Sequence, residues 1–125
     1  MSAQTGTAIS ANTQSGYKKS NQSKVFYHDS QWWAIAFNLG NNRWCIWRYD
    51  SNQWTSVRNI EVGPNFQWDA VIDNSTGKLY IFGSHLTTPH FWRFSYIGGT
   101  WVNDPGYPRN PSNFANADQG NAVSL

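Results

Sequence analysis

The sequence between residues 25 and 102 is a succession of short apolar runs separated by clusters of Asp, Asn, Ser and Gly. The runs VFY, WWAIAF and RWCIWRY have the length of β-strands. The segments HDSQ, NLGNN and DSNQ between them are rich in residues that form tight turns through positive φ or local side-chain hydrogen bonds. No segment has convincing helical periodicity over eleven or more residues. The pattern predicts an all-β chain of antiparallel strands.

The same pattern occurs twice, about 45 residues apart. Trp47-Arg48-Tyr49 aligns with Trp92-Arg93-Phe94 (92 − 47 = 45), Ile35-Ala36 with Ile81-Phe82 (81 − 35 = 46), and Trp54 with Trp101 (101 − 54 = 47). A drift of one or two residues is expected where the turns of the two copies differ in length. Repeats of about 40–50 residues with several short strands each are typical of β-propeller blades.

We therefore predict two antiparallel four-stranded propeller blades, at residues 24–57 and 67–104, joined by a connection at 58–66. Residues 1–23 form a polar arm that we expect to be flexible, since they have little to bury. Residues 105–125 are expected to form a polar tail or a closing strand. Propellers have about 4–8 blades, so we expect further copies to complete the ring, with a homotrimer favoured. The alternative is a β-sandwich of the same strands.

Composition restricts the partners. Only 13% of the residues are charged, the net charge is +2, and the basic residues are scattered. We therefore expect no nucleic-acid partner. No apolar run approaches the ~18 residues of a membrane span, so no membrane partner is expected. The N-terminus lacks the features of a secretory signal, which predicts cytoplasmic synthesis, with incorporation into a virion or release by lysis as possible destinations.

The reactive side chains do not form a catalytic pattern. Glu61 is the sole glutamate and has no motif partner, so we interpret it as a solvated loop carboxylate. Cys45 is the sole cysteine and is expected to be a small buried apolar residue. Metal binding by the histidines, His28, His85 and His90, is not indicated: His85 and His90 flank one turn, but no carboxylate or cysteine stands beside them. We expect no enzyme activity, no cofactor and no metal.

The segments VFYHDSQWWAIAF and WRYDSNQWT resemble the blade repeats of bacterial and phage β-propellers of the sialidase-like or kelch-like kind. The length of two blades resembles the short propeller lectins that build a ring from several chains. The resemblance covers residues 24–102. The segment SYIGGTW keeps the Gly, Thr and Trp of the S-x-D-x-G-x-T-W turn of sialidase-type blades, but it lacks the Asp and is one residue short. The resemblance therefore implies the architecture and not the hydrolase activity.

The aromatic residues suggest binding. The tryptophans that recur between the repeats are expected to be blade core: Trp47, Trp54, Trp92 and Trp101. Those without an aromatic counterpart could stack on a sugar, with nearby polar side chains binding its hydroxyls. The predicted ligand site comprises Trp32, Trp44, Trp68, Asn42, Arg43 and Asp69. Arg48 and Arg93 are expected to be structural. The predicted function is lectin-like glycan recognition, and the alternative is a structural or assembly protein such as a phage virion decoration or tail component.

Overall fold

The computed structural model describes residues 25–62, 67–85 and 88–110, which form two four-stranded antiparallel sheets. Sheet 1 contains β1 (Val25–His28), β2 (Gln31–Asn38), β3 (Arg43–Asp50) and β4 (Gln53–Val62), and sheet 2 contains β5 (Gln67–Asp73), β6 (Lys78–His85), β7 (Thr88–Ile97) and β8 (Thr100–Asn103). In both sheets the strands lie side by side in chain order. The predicted all-β class with two four-stranded sheets is confirmed. The predicted arm at 1–23 and the tail beyond residue 110 lie outside the described residues.

Three of the hairpins close through turns of two residues that both have positive φ. The pairs are Asp29 (54°) with Ser30 (58°), Ser51 (51°) with Asn52 (63°), and Gly98 (60°) with Gly99 (81°). Two positive φ angles define the turn type that matches the right-handed twist of paired strands, and Asp, Asn and Gly are the residues that form it most easily. The hairpin between β5 and β6 has a longer turn, which ends at Gly77 (φ 68°).

Each sheet contributes one face to a single shared core. Alternation along β2 places Trp33, Ile35 and Phe37 on that face. The other buried members of the core are Phe26, Trp44, Ile46, Ile60, Trp68, Ala70, Leu79, Ile81, Phe94 and Trp101. We call the opposite face of each sheet, which points away from this core, its outer face. No helix in the described part of the chain has the length and apolarity to cross a membrane.

The first repeat is longer than predicted. Strand β4 continues to Val62, whereas we expected a connection from residue 58. The strand absorbs two register shifts, opposite Ile46/Trp47 and opposite Trp44/Cys45. These irregularities let Ile60 pack into the core. Strand pairing and a buried side chain therefore extend β4 through a segment that had no clear alternation in its sequence.

Glu61 is not a solvated loop carboxylate, because it lies within β4. It pairs with Trp44 of β3. Its Oε2 atom is 3.5 Å from Nδ1 of His90 on β7, so the carboxylate links the two sheets.

Sheet 2 carries an additional segment after β8, in the stretch from residue 105 that was predicted to be a polar tail or a closing strand. The backbone of Arg109 exchanges two hydrogen bonds of 2.8 Å with Phe91 of β7. The Tyr107 ring lies between two guanidinium groups, 4.8 Å from that of Arg93 and 4.7 Å from that of Arg109. Residues 104–109 thus fold onto the outer face of sheet 2, and the structural role predicted for Arg93 is confirmed.

Candidate binding face

The structure corrects half of the predicted ligand site. Trp44 and Trp68 are fully buried in the core (0% exposed), and Asp69 is 2% exposed. These three side chains cannot contact a ligand in solution without opening the fold. Trp44 shares its face of β3 with Ile46, and that face is covered by sheet 2. The sequence indicated which residues share a face, but it did not indicate which face the second sheet would cover.

The remaining predicted residues are accessible but far apart along the sheet. Trp32 is 51% exposed and lies near the N-terminal end of β2. Asn42 and Arg43 are exposed beside the β2–β3 turn, at the other end of that strand. The structure therefore does not bring these three residues together into one site.

The outer face of sheet 1 instead carries a row of aromatic side chains that crosses all four strands. Tyr27 pairs with Trp32, and Tyr49 pairs with Trp54. Trp33 of β2 pairs with Arg48 of the antiparallel strand β3. The residues next to this pair, Trp32 and Tyr49, are therefore neighbours across the two strands. The ring centroids of Tyr27 and Trp32 are 5.0 Å apart, and those of Tyr49 and Trp54 are 5.2 Å apart. We call Tyr27, Trp32, Tyr49 and Trp54 the aromatic row.

Three members of this row were missed in the sequence. The information that locates them is the position of the two-residue turns, because residues equally distant from such a turn pair across the hairpin. Tyr27 and Trp32 each lie two residues from the Asp29–Ser30 turn, and Tyr49 and Trp54 have the same relation to the turn at 51–52. The recurrence of a tryptophan between the two repeats contains no information on this pairing.

A second, flatter part of the same outer face lies beside the row. Trp47 is partly buried there, and its Nε1 donates a hydrogen bond of 3.0 Å to the carbonyl oxygen of Ala36. Ala34 and Ala36 are buried on this face, opposite Trp47 and Cys45. Cys45 is fully buried, as predicted. The prediction that Trp47 is blade core is only partly met, since it packs on the outer face and not between the two sheets.

Hairpins β3–β4 and β7–β8 can be matched residue by residue, because their turns have the same length and the same signs of φ. This match pairs Tyr49 with Tyr96 and Trp54 with Trp101, both at an offset of 47. The two aromatic pairs have similar geometry. Their ring centroids are 5.2 and 4.8 Å apart, and their planes are inclined by 56° and 53°. Trp47 then matches Phe94, and not Trp92 as the sequence alignment suggested.

The matched residues differ in which face they occupy. Trp101 is 1% exposed, because Phe26 and Trp33 of sheet 1 pack against it with ring centroids 5.8 and 5.4 Å away. Its counterpart Trp54 lies on the outer face of sheet 1. In the same way Asp50 lies on the core-facing side of β3, whereas its counterpart Ile97 is 60% exposed on the outer face of sheet 2.

This difference defines how the sheets are stacked. Two sheets related by a two-fold axis through the core would bury matched residues on both sides of it. Here the core-facing side of sheet 2 corresponds to the outer face of sheet 1. The two sheets are therefore stacked with the same orientation. The face of sheet 2 that packs against sheet 1 is equivalent to the face of sheet 1 that points away from sheet 2.

Polar groups link the sheets at the turn end of this interface. The Tyr96 hydroxyl donates a hydrogen bond of 2.6 Å to Oδ2 of Asp29, and Nδ1 of His28 lies 2.5 Å from Oδ1 of Asn74. Burial, together with the hydrogen bond to Asp29, raises the pKa of Tyr96 to about 12. The β1–β2 turn of sheet 1 is thus fixed against β7.

The polar cluster on the outer face of sheet 2 is structural. The Ser95 hydroxyl donates to Oδ1 of Asp104, while Oδ2 accepts from Lys78 Nζ (3.0 Å) and Arg93 Nε (2.5 Å). Burial alone would raise the pKa of Asp104, but the hydrogen bonds from Ser95, Lys78 and Arg93 outweigh it and lower the pKa. Lys78 Nζ also donates a hydrogen bond of 2.5 Å to Ser95 Oγ, so the four side chains form one connected hydrogen-bond network.

Two further observations concern the chemistry of the surface. Among residues 25–62, 67–85 and 88–110, no group of three or more His, Cys, Asp or Glu side chains could hold a metal ion.

A shallow polar cleft of about 550 Å³ lies between the β1–β2 and β3–β4 turns. Its lining includes Gln31, Tyr49 and Asn52, so it adjoins the aromatic row.

The fold and this face define an all-β chain of two stacked meander sheets with an aromatic outer surface. No protein-family model, no curated protein and no solved structure matches the chain.

Proposed function

We propose that the chain is a non-enzymatic structural or assembly protein whose two sheets are consecutive blades of a β-propeller completed by further copies. The observation that carries the proposal is the stacking of sheet 2 behind sheet 1 in the same sense. The aromatic pair that sheet 1 covers in sheet 2 recurs on the outer face of sheet 1. Head-to-tail repetition of this kind gives a closed ring when the rotation per unit closes and an open filament when it does not. The blade number of propellers favours the ring.

The distribution of exposed apolar side chains supports the same proposal. Seven large hydrophobic side chains are exposed in the described part of the chain. All but Leu39 lie on the two outer faces: Val25, Tyr27 and Trp32 on sheet 1, and Val71, Ile97 and Val102 on sheet 2. Burying one such side chain contributes about 1.5–3 kcal/mol. Several together can offset the roughly 4–15 kcal/mol that association costs.

The native mass in solution tests the assembly. Three chains give six blades, two give four and four give eight, all within the range that propellers use. We favour the trimer and expect light scattering to give three times the chain mass of 14.2 kDa. A protein that remains a monomer at concentrations of tens of micromolar would rule the proposal out.

A second candidate function is lectin-like glycan recognition. The observation that favours it is the polar cleft beside the aromatic row, where Gln31 and Asn52 could bind hydroxyls close to Tyr49. Binding of this kind combines ring stacking with hydrogen bonds from polar side chains.

Glycan binding is tested by array screening followed by calorimetry with the wild-type protein and the Gln31→Ala variant, because Gln31 lines the cleft. We expect a measurable affinity for at least one glycan and a loss of about tenfold or more in the variant. Leu39→Ala, an exposed substitution outside the cleft, serves as the control. Flat heats for every glycan tested would eliminate this candidate and leave the assembly proposal intact.

A further inference from the structure

We infer that the outer face of sheet 1 binds the outer face of sheet 2 of a second copy of the same chain, head to tail. This inference rests on the proposed assembly and specifies which surfaces meet. The aromatic row is the receiving surface: Tyr27 and Trp32 are its exposed members, and Tyr49 and Trp54 form its β3–β4 part.

The receiving surface is identified by what covers its counterpart within the chain. Tyr96 and Trp101 are covered by the core-facing side of sheet 1, through Phe26, His28 and Trp33. The match between hairpins β3–β4 and β7–β8 shows which faces of the two sheets are equivalent. The core-facing side of sheet 1 is equivalent to the outer face of sheet 2. Repeating the internal interface therefore places the outer face of sheet 2 of one copy on Tyr49 and Trp54 of the next.

The outer face of sheet 2 has the surface chemistry that this contact requires. Residues 104–109 cover its Phe91 end. The exposed apolar side chains of this face are Val71, Ile97 and Val102. Val71 lies opposite Tyr80, and Val102 opposite Ser95, which places them on the same face of the sheet. The charged side chains of this face, Lys78 and Arg93, are held by ion pairs with Asp104. The apolar part of the contact is therefore supplied by Val71, Ile97 and Val102.

The internal interface also suggests a polar contact at the junction. Within the chain, the turn that precedes β2 supplies Asp29 to the Tyr96 hydroxyl. The corresponding turn of sheet 2 is the one between β5 and β6, which carries the exposed side chains of Asn74, Ser75 and Thr76. In the assembly this turn lies near the Tyr49 hydroxyl of the neighbouring copy.

Head-to-tail pairing can be distinguished from pairing of like faces by mixing two variants. Trp32→Arg places a charge on the outer face of sheet 1, and Val71→Arg places one on the outer face of sheet 2; both side chains are about half exposed in the chain. Each variant retains one intact face. Head-to-tail pairing predicts that each variant alone is monomeric, because no intact sheet 1 face can meet an intact sheet 2 face.

The mixture is the decisive sample. The intact sheet 2 face of Trp32→Arg can join the intact sheet 1 face of Val71→Arg, which forms one junction and cannot close a ring. We expect sedimentation velocity to show a 1:1 complex of two chains in the mixture. Leu39→Arg, with a similar exposed fraction but on neither face, is the matched control and should retain the wild-type mass. Trp54→Arg repeats the test at the β4 end of the receiving surface. Circular dichroism of each variant checks that it is folded.

The outcomes separate the two proposals. If the wild-type protein is monomeric, the proposed assembly fails. If the wild-type protein assembles and Val71→Arg assembles just as well, like faces of sheet 1 pair with each other, and the head-to-tail inference fails alone. A folded Trp32→Arg variant and a folded Trp54→Arg variant that both keep the wild-type mass would also overturn it.

Discussion

At the scale of single residues, Asp104 determines how the segment after β8 is held on sheet 2. Its carboxylate accepts hydrogen bonds from Ser95, Lys78 and Arg93. Hydrogen bonds to a charged group contribute about 1.5–3 kcal/mol. We therefore expect Asp104→Asn to lower the free energy of unfolding by about 2 kcal/mol in urea denaturation. Asp50→Asn is the control, because Asp50 is exposed and its contacts are a 3.5 Å ion pair with Arg48 and a 3.3 Å hydrogen bond from the Ser51 hydroxyl. An exposed ion pair contributes at most about 1 kcal/mol.

The same carboxylate predicts a dependence on acid pH. The pKa of Asp104 is lowered in the folded protein from the ordinary value of 3.8. Its contribution to stability is therefore present above about pH 4 and is lost as the pH falls through the lowered pKa. We expect the difference in unfolding free energy between wild type and Asp104→Asn to shrink as the pH is lowered below 4. A difference that stays constant down to pH 2 would contradict this.

Tyr96 predicts the opposite dependence, at alkaline pH. Its pKa is raised to about 12, so the folded protein retains the phenolic proton after the unfolded chain, with a pKa near 10, has lost it. The stabilisation is complete below about pH 10 and is lost as the pH rises towards 12. We expect the difference in stability between wild type and Tyr96→Phe to decrease over this interval. A stability difference that stays constant from pH 9 to pH 12 would contradict this prediction.

At the scale of elements, the turns are the features that the sequence predicted best. The Asp-Ser, Ser-Asn and Gly-Gly pairs all occupy positive φ, because these residues tolerate it at little cost. The end of β4 was not predictable in this way. Its register shifts depend on burying Ile60 against sheet 2, a tertiary contact that leaves no alternating pattern in RNIEV.

The Gly98–Gly99 turn gives a prediction for one element. Gly98 has a φ of 60°, and a Cβ atom there would meet nothing within 4 Å. Asn tolerates positive φ and restricts the unfolded chain, so Gly98→Asn should raise the free energy of unfolding by about 0.4–1 kcal/mol. Gly98→Val should lower it by about 1–2 kcal/mol, because β-branched residues are strained at positive φ. Equal stability of the two variants in chemical denaturation would contradict this account of the turn.

At the scale of the whole molecule, the sequence predicted two sheets but not which tryptophans they would share. Trp44 and Trp68 are buried in the core between the sheets, whereas Trp32 is exposed on the outer face of sheet 1. This outcome depends on which face of each sheet is covered. Strand alternation gives the two faces of a sheet, but the choice between them is made by the stacking of one sheet on the other.

The stacking leads to a prediction about the stability of the whole protein. If copies join through their outer faces, unfolding is coupled to dissociation, and the melting temperature must rise with protein concentration. For a trimer of chains this size we expect a rise of roughly 3–6 °C per tenfold increase in concentration, measured by calorimetry over a hundredfold range. Trp32→Arg should remove this dependence, because it leaves the core between the sheets unchanged while placing a charge on the receiving surface. Superimposable wild-type melting curves across that range would mean that the two sheets are stable without neighbours, and that the exposed apolar side chains of both outer faces are tolerated in a free monomer.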